Sequence, residues 1–551
     1  MNFQTRIFLA VALCAFIFVV FDFLSPKPSP EEVAAKKAAA EQKAEAEKLA
    51  AAEPEAEEAP SEPAPTGAGP GAGPGAKPAA PPWDGALHND LLSLAVTNRS
   101  PARGGLVTAV ELLSKQFQGH GTATDSLGLA GKRTLEVGVT DTDGKPLVQR
   151  DTSYEVREVT DDRLVLVHTD GQLEVTERLE LLAGYEARLE VEIRNRGAAA
   201  VDHQVHVRTR IGVSDSQYDV RYGLCRTADD LEWEDKDDVE DAPVRYADVA
   251  WGGVTGKYFA TLVVPQERAQ GCEVALAKEG AAIESDLATG PATLAPGETK
   301  THVFGLYVGP KELERLQAFA AVGTPVPLDQ AIDWGFFGGV SEWLGKLLLA
   351  LLRWFHELIG NWGVSIVLLT VTVKAVTLPL TLKQMSSMKR MREIQPEIAK
   401  IKKKYEDDRV KQGQEMQALF GRSGVNPLAG CFPMLVQLPI WFALYSMLGA
   451  AVELVHEPFL WLPDLTEQDP YYILPLALGA LMIVQNRMMP STMDPAQAKM
   501  MRWVMPIMFT VFMLFLPSGL GVYIFANIVL SLVQTAIQVG TNKNPQAAAA
   551  S

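Results

Sequence analysis

The segment from Asn361 to Leu382, NWGVSIVLLTVTVKAVTLPLTL, constrains the fold of this chain more than any other because it is long, apolar and yet contains a lysine. A helix crosses a bilayer with about 20 apolar residues, and this segment is long enough. A charge near the bilayer centre costs roughly 2.5–3.5 kcal/mol on insertion scales. We therefore expect Lys374 to face a protein interior or a water-filled cavity.

The polar residues of this segment share one helical face. Counting from Thr370, the lysine, Thr377 and Thr381 follow at four, seven and eleven residues. The alternative is a lysine side chain that extends to the headgroups, since Lys374 lies only roughly 13 Å along the helix from its basic end. That alternative does not account for the threonines, so the pattern favours a polar cavity within the membrane.

The first 82 residues are predicted to form a membrane anchor and a linker. Residues 1–24 contain an unbroken apolar run after Arg6. A cleaved signal peptide is the alternative, but no small-residue cleavage site follows closely. Residues 25–82 hold ten Glu and six Lys but almost no large apolar side chains. Such a composition cannot bury a core, so this stretch is predicted to be a disordered linker.

Residues 83–335 are predicted to form a β-sandwich. Short segments of alternating polarity, such as LEVTERLEL at 173–181, are separated by turn sequences, which is typical of antiparallel sandwiches. The acidic stretch 229–241 is interpreted as a solvated loop, with a cation site as the alternative. Cys225 and Cys272 could form a disulfide if this domain lies outside the cytoplasm.

Residues 336–360 are predicted to form an amphipathic helix that lies in the membrane–water interface, on the outer side of the membrane that the chain spans. Its apolar face includes Trp343 and Leu347, whereas Lys346 and Arg353 lie on its polar face. A core helix of the β-domain is the alternative. The position directly before a membrane span at 361–382 favours the interface.

Residues 383–424 are predicted to form a cytoplasmic hairpin of two helices. The part from Lys383 to Arg422 has eleven Lys and Arg against six Asp and Glu. Cytoplasmic loops of membrane proteins carry such a basic excess.

Four further apolar stretches lie in residues 425–540, and residues 541–551 form a short tail. The loop at 453–470 has five acidic residues and neither lysine nor arginine, which places it on the outer side. The expected fold is an α-helical polytopic membrane protein with six spans and both termini in the cytoplasm, joined to an all-β domain outside the cytoplasm.

Polar residues also recur in the later spans. Tyr523 and Asn527 begin a stripe along the last span, and Gln437 lies in the third. Hydrogen bonds between helices are the alternative explanation for each of them. Together with the lysine stripe they predict one shared groove, lined by Lys374, Thr370, Thr377, Gln437, Tyr523 and Asn527.

These segments resemble the YidC-type membrane protein insertases of Gram-negative bacteria, which carry a large periplasmic domain. The resemblance covers the chain outside residues 25–82. The stretches that carry it include GNWGVSI (360–366), SMKRMREIQPEI (387–398), VNPLAGCFPMLVQLPIWFALYSML (425–448) and FLPSGLGVYIFANI (515–528).

The resemblance implies a core of five membrane helices around a hydrophilic groove, in the bacterial inner (plasma) membrane. Lys374 occupies the position of the positive groove residue, which is typically arginine in relatives, and Thr370 and Tyr523 match groove positions. The implied partners are nascent membrane proteins, the Sec translocon and the lipid bilayer, with ribosomes or targeting factors meeting the hairpin. Neither a cofactor nor direct nucleic-acid binding is expected.

Two other classes of membrane protein fit the sequence less well. An intramembrane serine protease needs a histidine at depth, but all eight histidines lie outside the predicted spans. An aspartyl protease needs two intramembrane aspartates, and only Asp22 lies near a span. A secondary transporter would account for broken helices and a buried charge, but the chain has no evident internal repeat. We therefore expect an insertase and not an enzyme.

Overall fold

The computed structural model describes most of the chain from Trp83 onwards. The predicted anchor at 1–24, the linker at 25–82 and most of the tail at 541–551 lie outside the described residues. The structure describes residues 83–98, 105–114, 117, 134–148, 154–214, 220–277, 282–335, 339–405, 408–423, 432–488 and 503–542.

The N-terminal half of the described chain is built from strands. In chain order they are β1 (Asp84–His88), β2 (Leu92–Thr97), β3 (Gly105–Leu112), β4 (Leu135–Thr140), β5 (Glu155–Val159), β6 (Arg163–Thr169), β7 (Leu173–Leu181), β8 (Glu186–Asn195), β9 (Val201–Gly212), β10 (Tyr222–Arg226), β11 (Leu231–Glu234), β12 (Val244–Val249), β13 (Trp251–Thr255), β14 (Phe259–Pro265), β15 (Ala269–Leu276), β16 (Ala282–Ala288), β17 (Ala292–Leu294) and β18 (Thr299–Pro310).

The strands form two antiparallel sheets of nine strands each. The first has the order β1-β2-β3-β4-β9-β16-β15-β12, with β17 also paired to β9. The second has the order β11-β10-β13-β14-β18-β8-β7-β6-β5. This confirms the predicted all-β domain.

Sequence alternation explains which face of each strand is buried. Along β8, Ala187, Leu189, Val191 and Ile193 are fully buried, and the charged residues between them are partly exposed. Successive side chains of a strand point to opposite faces, so the apolar set of β8 packs between the sheets. β8 therefore shows the alternation that is typical of an antiparallel sheet with one buried and one solvated face.

Cys225 and Cys272 form a disulfide between the two sheets. Cys225 lies on β10 of the second sheet and Cys272 on β15 of the first, and their Cα atoms are 6.0 Å apart. The pairing that the sequence left open is therefore present. Such bonds persist in oxidising compartments outside the cytoplasm.

Part of the acidic stretch at 229–241 is a strand and not a loop. β11 pairs with β10, and Trp233 packs edge-on against Tyr222 at 5.3 Å between ring centroids. Trp233 of this short strand thus packs against the buried Tyr222. The surrounding carboxylates gave no indication of this contact in the sequence. Among the described residues, no group of three or more His, Cys, Asp or Glu side chains is arranged to hold a metal ion.

Glu177 on β7 is a buried acid in the β-domain, and it predicts a pH dependence of stability. Burial raises its pKa from 4.5 to about 8, although a hydrogen bond with Tyr154 opposes this shift. The unfolded chain therefore loses this proton near pH 4.5 while the native domain keeps it. We expect this residue to lower stability by about 1.4 kcal/mol per pH unit as the pH rises between those two values.

The measurement is the free energy of unfolding in urea of the detergent-solubilised full chain as a function of pH. Hydrogen exchange of the β7 amides is the readout. Glu177→Gln should flatten the profile relative to the wild-type protein and raise stability near pH 8. The partly exposed Glu174 on the same strand provides a matched control, Glu174→Gln. Equal slopes for the wild-type protein and Glu177→Gln would contradict the prediction.

The C-terminal half of the described chain is helical. Its helices are α1 (Leu313–Ala318), α2 (Gly339–Ile359), α3 (Trp362–Lys404), α4 (Arg409–Ser423), α5 (Phe432–Ala450), α6 (Ile473–Met488), α7 (Met505–Met513) and α8 (Ser518–Asn542), with 3₁₀ turns at Asp329–Ala331 and Val452–Leu454.

A tight turn joins α2 to α3. Gly360 has φ +72°, a left-handed conformation that a residue without Cβ adopts freely, and it ends α2. The side chain of Asn361 then accepts a hydrogen bond from the Val364 N–H at 3.0 Å and caps α3. The predicted interfacial segment at 336–360 thus contains α2, which exposes Trp343 and Leu358.

α3 continues without a break past the predicted end of the span at residue 382. It is one helix of 43 residues, with Pro379 and Pro396 inside it. The sequence prediction divided it at 382/383 because the hydropathy falls there. The residues that follow are good helix formers, so the edge of the apolar segment is not the end of the helix.

The described residues do not establish the predicted count of six spans. Two helical segments are long and apolar enough to cross a membrane, Trp362–Leu382 and Ser518–Ala536. Leu438–Ala450 and Ile473–Arg487 are shorter apolar segments. α7 has only nine residues, with Pro506 in its first turn and Pro517 shortly after its end. Proline limits helix length at such positions.

Candidate functional site

Lys374 lies where α3 packs against α8. Its side chain is partly buried, and Nζ donates a hydrogen bond to Ser531 Oγ on α8 at 2.8 Å. Ser531 Oγ in turn donates to the carbonyl oxygen of Asn527 at 2.7 Å. The ammonium group is therefore held between two apolar helices.

The three threonines of the stripe donate their hydroxyl protons to their own helix. Thr370 Oγ1 bonds the carbonyl of Ile366 at 2.7 Å, and Thr377 Oγ1 bonds that of Val373 at 2.8 Å. Thr381 Oγ1 makes the same kind of bond to the Thr377 carbonyl at 3.0 Å. A hydroxyl that donates in this way keeps acceptor capacity on its oxygen.

α8 contributes the opposite wall of the site. Tyr523 is almost fully buried and Asn527 is partly buried, one turn further along the helix. Gln534 Nε2 is buried without a hydrogen-bond partner among the described residues. Gln437 lies on α5, but its side chain is outside the described part of the structure.

α3 and α8 pack against each other, and their polar stripes meet at the Lys374–Ser531 hydrogen bond. Thr370 and Thr377 lie on the helix of the lysine, and Tyr523 and Asn527 lie on the helix of Ser531. Ser531, the direct partner of the lysine, belongs to the stripe that the sequence predicts from Tyr523 and Asn527 onwards, because residues at i and i+4 share a helical face. It was not among the residues predicted to line the groove.

The loop between α5 and α6 packs against the start of α8. Ser518 Oγ, at the start of α8, donates to the Asp464 carbonyl at 2.8 Å, and the Gly519 N–H donates to the Leu465 carbonyl at 2.7 Å. A Cβ on Gly519 would lie 2.9 Å from the Leu465 oxygen, so glycine permits this approach. The loop therefore contacts the first turn of α8, just before Tyr523.

Two aspartates hold that loop in shape. The Asp464 carboxylate accepts hydrogen bonds from the His456 N–H at 2.9 Å and the Thr466 N–H at 2.7 Å. The Asp469 carboxylate accepts from the N–H groups of Tyr471 and Leu474 at 3.0 and 2.7 Å. Two of the five acidic residues that predicted an outer position for this loop therefore stabilise its backbone.

The helices also expose large apolar side chains away from the site. On α3, Val376 is 73% exposed, and Val371 and Leu382 are also exposed. α7 exposes a similar set, Ile507, Met508, Val511 and Phe512. An apolar surface of this extent is rare on soluble monomers and fits contact with lipid.

Taken together, these features define a helical membrane protein with a polar site between its helices and a large disulfide-containing β-domain. Two family models match the chain: "60Kd inner membrane protein" over residues 354–545 and "YidC periplasmic domain" over residues 88–351. Curated relatives agree with this assignment in name.

Membrane protein insertase YidC from Pelobacter propionicus is 36% identical over 412 residues, covering 71% of this chain and 74% of that protein. The YidC of Anaeromyxobacter sp. strain Fw109-5 is 43% identical over 311 residues, covering 56% of this chain and 55% of its own length. The chain thus spans about half the length of such Anaeromyxobacter relatives. A crystal structure described as an active YidC insertase shares 20% identity, covering 84% of this chain and 95% of its own, with a TM-score of 0.36. The chain belongs to the YidC family of membrane protein insertases.

Proposed function

We propose that this protein inserts client proteins into the bacterial inner membrane. In this proposal a hydrophilic segment of the client enters the polar site around Lys374, and the client's apolar helix leaves sideways into lipid. The observation that carries the proposal is the Lys374–Ser531 hydrogen bond between two otherwise apolar helices. No cofactor takes part.

Physical chemistry explains why such a site would help. Polar groups that cross hydrocarbon without partners cost several kcal/mol each. Hydroxyl and amide groups on α3 and α8 offer partners part of the way, and the ammonium group attracts acidic segments. Burial of the client's apolar surface in lipid, at about 25 cal/mol per Å², favours release.

We further propose that Lys374, Thr370, Thr377, Tyr523 and Asn527 contact the client, with Gln437 completing the groove. The chain ends are proposed to lie in the cytoplasm and the β-domain in the periplasm, with the Sec translocon as an optional partner. The β-domain location is supported by the Cys225–Cys272 disulfide.

The test is insertion of a single-span client with an acidic tail into proteoliposomes that contain the purified protein. Protease protection of the tail should rise several-fold over that in empty liposomes. Uptake of small solutes by the same vesicles provides the comparison with a transporter. Solute uptake without client insertion would overturn the proposed function.

A second prediction concerns the cytoplasmic end of α3 together with α4. Val410 on α4 is 71% exposed, and Gln412 Nε2 bonds the Lys402 carbonyl at 3.2 Å. Exposed apolar and methionine-containing surfaces adapt to varied partners, so this region is expected to meet clients early. Deletion of 384–422 should lower insertion more than deletion of 90–310, as measured by pulse-chase insertion in cells depleted of the native protein. Equal insertion by the two stably expressed deletions would contradict this role.

A further inference from the structure

The amphipathic helix α2 carries two cations that reach acidic partners outside it. Lys346 Nζ donates to Asp329 Oδ2 at 2.7 Å, and also to Glu342 on its own helix at 2.7 Å. Asp329 lies in the 3₁₀ turn that follows α1, at the end of the β-domain. Lys346 lowers the pKa of the Asp329 carboxyl, against the opposing effect of burial. This pair ties α2 to the β-domain.

Arg353, two turns further along α2, contacts two other parts of the chain. Its Nε donates to Glu453 Oε1 at 2.9 Å, and a second guanidinium nitrogen reaches the same oxygen. Its remaining terminal nitrogen donates to Glu314 Oε1 at 3.0 Å. Glu453 lies in the 3₁₀ turn directly after α5, and Glu314 lies in α1. One guanidinium group thus joins α2, the outer end of α5 and the β-domain.

The two acidic partners of Arg353 differ in exposure. The side chains of Arg353 and Glu453 are 19% and 12% exposed, whereas that of Glu314 is 84% exposed. Exposed ion pairs contribute little because water and salt screen them, while partly buried pairs are screened less. The planar guanidinium also suits several fixed acceptors better than an ammonium does. The Arg353–Glu453 contact is therefore the stronger of the two.

Close packing supports the same junction. A Cβ on Gly345 of α2 would lie 2.5 Å from the Trp334 ring, and one on Gly335 would lie 2.2 Å from Ser446 Oγ on α5. Gly335 also has φ +82°, which disfavours a larger residue. The segment that leaves the β-domain therefore contacts both α2 and α5 before α2 begins.

We propose that Arg353 is a positioning residue: it fixes α2, which the Lys346–Asp329 contact ties to the β-domain, relative to the end of α5. The inference rests on the proposed function in one respect: α5 leads into the loop that covers the first turn of α8, next to the client site. Loss of the Arg353–Glu453 contact would displace this loop and so change insertion without altering any residue of the site itself.

The experiment reverses the charges in turn. Arg353→Glu, Glu453→Arg and the double variant are prepared in full-length protein in which Cys14 and Cys431 are replaced by serine. Spin labels in place of the exposed residues Glu158 and Gln468 report the distance between the β-domain and the loop that joins α5 to α6. Insertion of the acidic-tailed client is measured on the same samples. Glu314→Gln is the matched control for the exposed contact.

Each single reversal should broaden the distance distribution and slow insertion several-fold, and the double variant should restore both. Glu314→Gln should stay within about twofold of the wild-type rate, as expected for an exposed pair. Where a reversal fails to fold, Arg353→Gln replaces it and should show the same broadening. Unchanged distances in the single variants, or a folded double variant that restores neither quantity, would overturn the proposal. Distances that respond in a protein that inserts no client would support the positioning role and overturn the proposed function.

Discussion

Replacement of Lys374 by glutamate should stop the insertion of clients whose translocated tails carry acidic residues. Two like charges about 4 Å apart repel by on the order of 4 kcal/mol at an effective dielectric constant of 20. An energy of that size corresponds to roughly a thousandfold in rate. Lys374→Glu also places a carboxylate opposite the hydroxyl group of Ser531, which now accepts a hydrogen bond from the lysine.

A series of variants separates charge from polarity at this position. Lys374→Arg should insert clients at least as well as the wild-type protein because arginine stays ionised when it is desolvated. Lys374→Ala should slow acidic clients more than neutral ones. The measurement is insertion of clients with zero to three acidic residues in the tail, in each variant.

Thr372 provides a matched control, because its hydroxyl bonds the Leu368 carbonyl of its own helix at 2.9 Å and lies off the lysine stripe. Thr372→Val should insert the whole client series at the wild-type rate. If Lys374→Ala and Lys374→Gln both matched the wild-type protein across the series, the charge would have no role in insertion.

The second large effect is expected from the disulfide between the two sheets. The bond closes a loop with a sequence separation of 47 residues. Removal of a native disulfide gives the unfolded chain more conformational freedom and typically lowers the free energy of unfolding by about 2–4 kcal/mol. The double variant Cys225→Ala and Cys272→Ala should therefore lower the free energy of unfolding of the β-domain by that amount, measured by urea unfolding.

The control for this experiment uses the other two cysteines. Cys14 and Cys431 lie in apolar segments outside the β-domain. Their replacement by serine should leave unfolding of the β-domain unchanged. A reducing agent should lower the stability of the wild-type domain but not that of the Cys225/Cys272 variant. Equal stability of the oxidised and reduced wild-type domain would contradict the prediction.

The sequence predicted the β-domain well because local alternation determines which residues of a strand are buried. β8 shows this most clearly, with each of its apolar residues at the predicted spacing and fully buried. The same reasoning was wrong about part of the acidic stretch, because the contact of Trp233 with Tyr222 is a tertiary interaction. No local pattern contains that information.

The helical half was predictable in composition but not in helix boundaries. The hydropathy change at Lys383 indicates where a membrane would end, and α3 runs through it. Helical spacing identified the stripes of Lys374 and Tyr523, but a stripe does not specify which residues of two helices meet. The Lys374–Ser531 and Arg353–Glu453 contacts join residues 157 and 100 positions apart, so only the folded chain defines them.

Because α3 is one continuous helix, a small rotation at one end would displace the other end by many ångströms. Its N-terminal end is tightly packed, because Ile366 and Leu369 are fully buried and a Cβ on Gly363 would lie 2.1 Å from the Phe459 ring. At 1.5 Å per residue, Lys374 lies about 18 Å and Lys404 about 63 Å from Trp362. A rigid pivot of about 10° around Trp362 would move Lys404 by about 11 Å and Lys374 by about 3 Å. A displacement of about 3 Å at the lysine would break the Lys374–Ser531 hydrogen bond, which is 2.8 Å long, and so separate the ammonium group from α8.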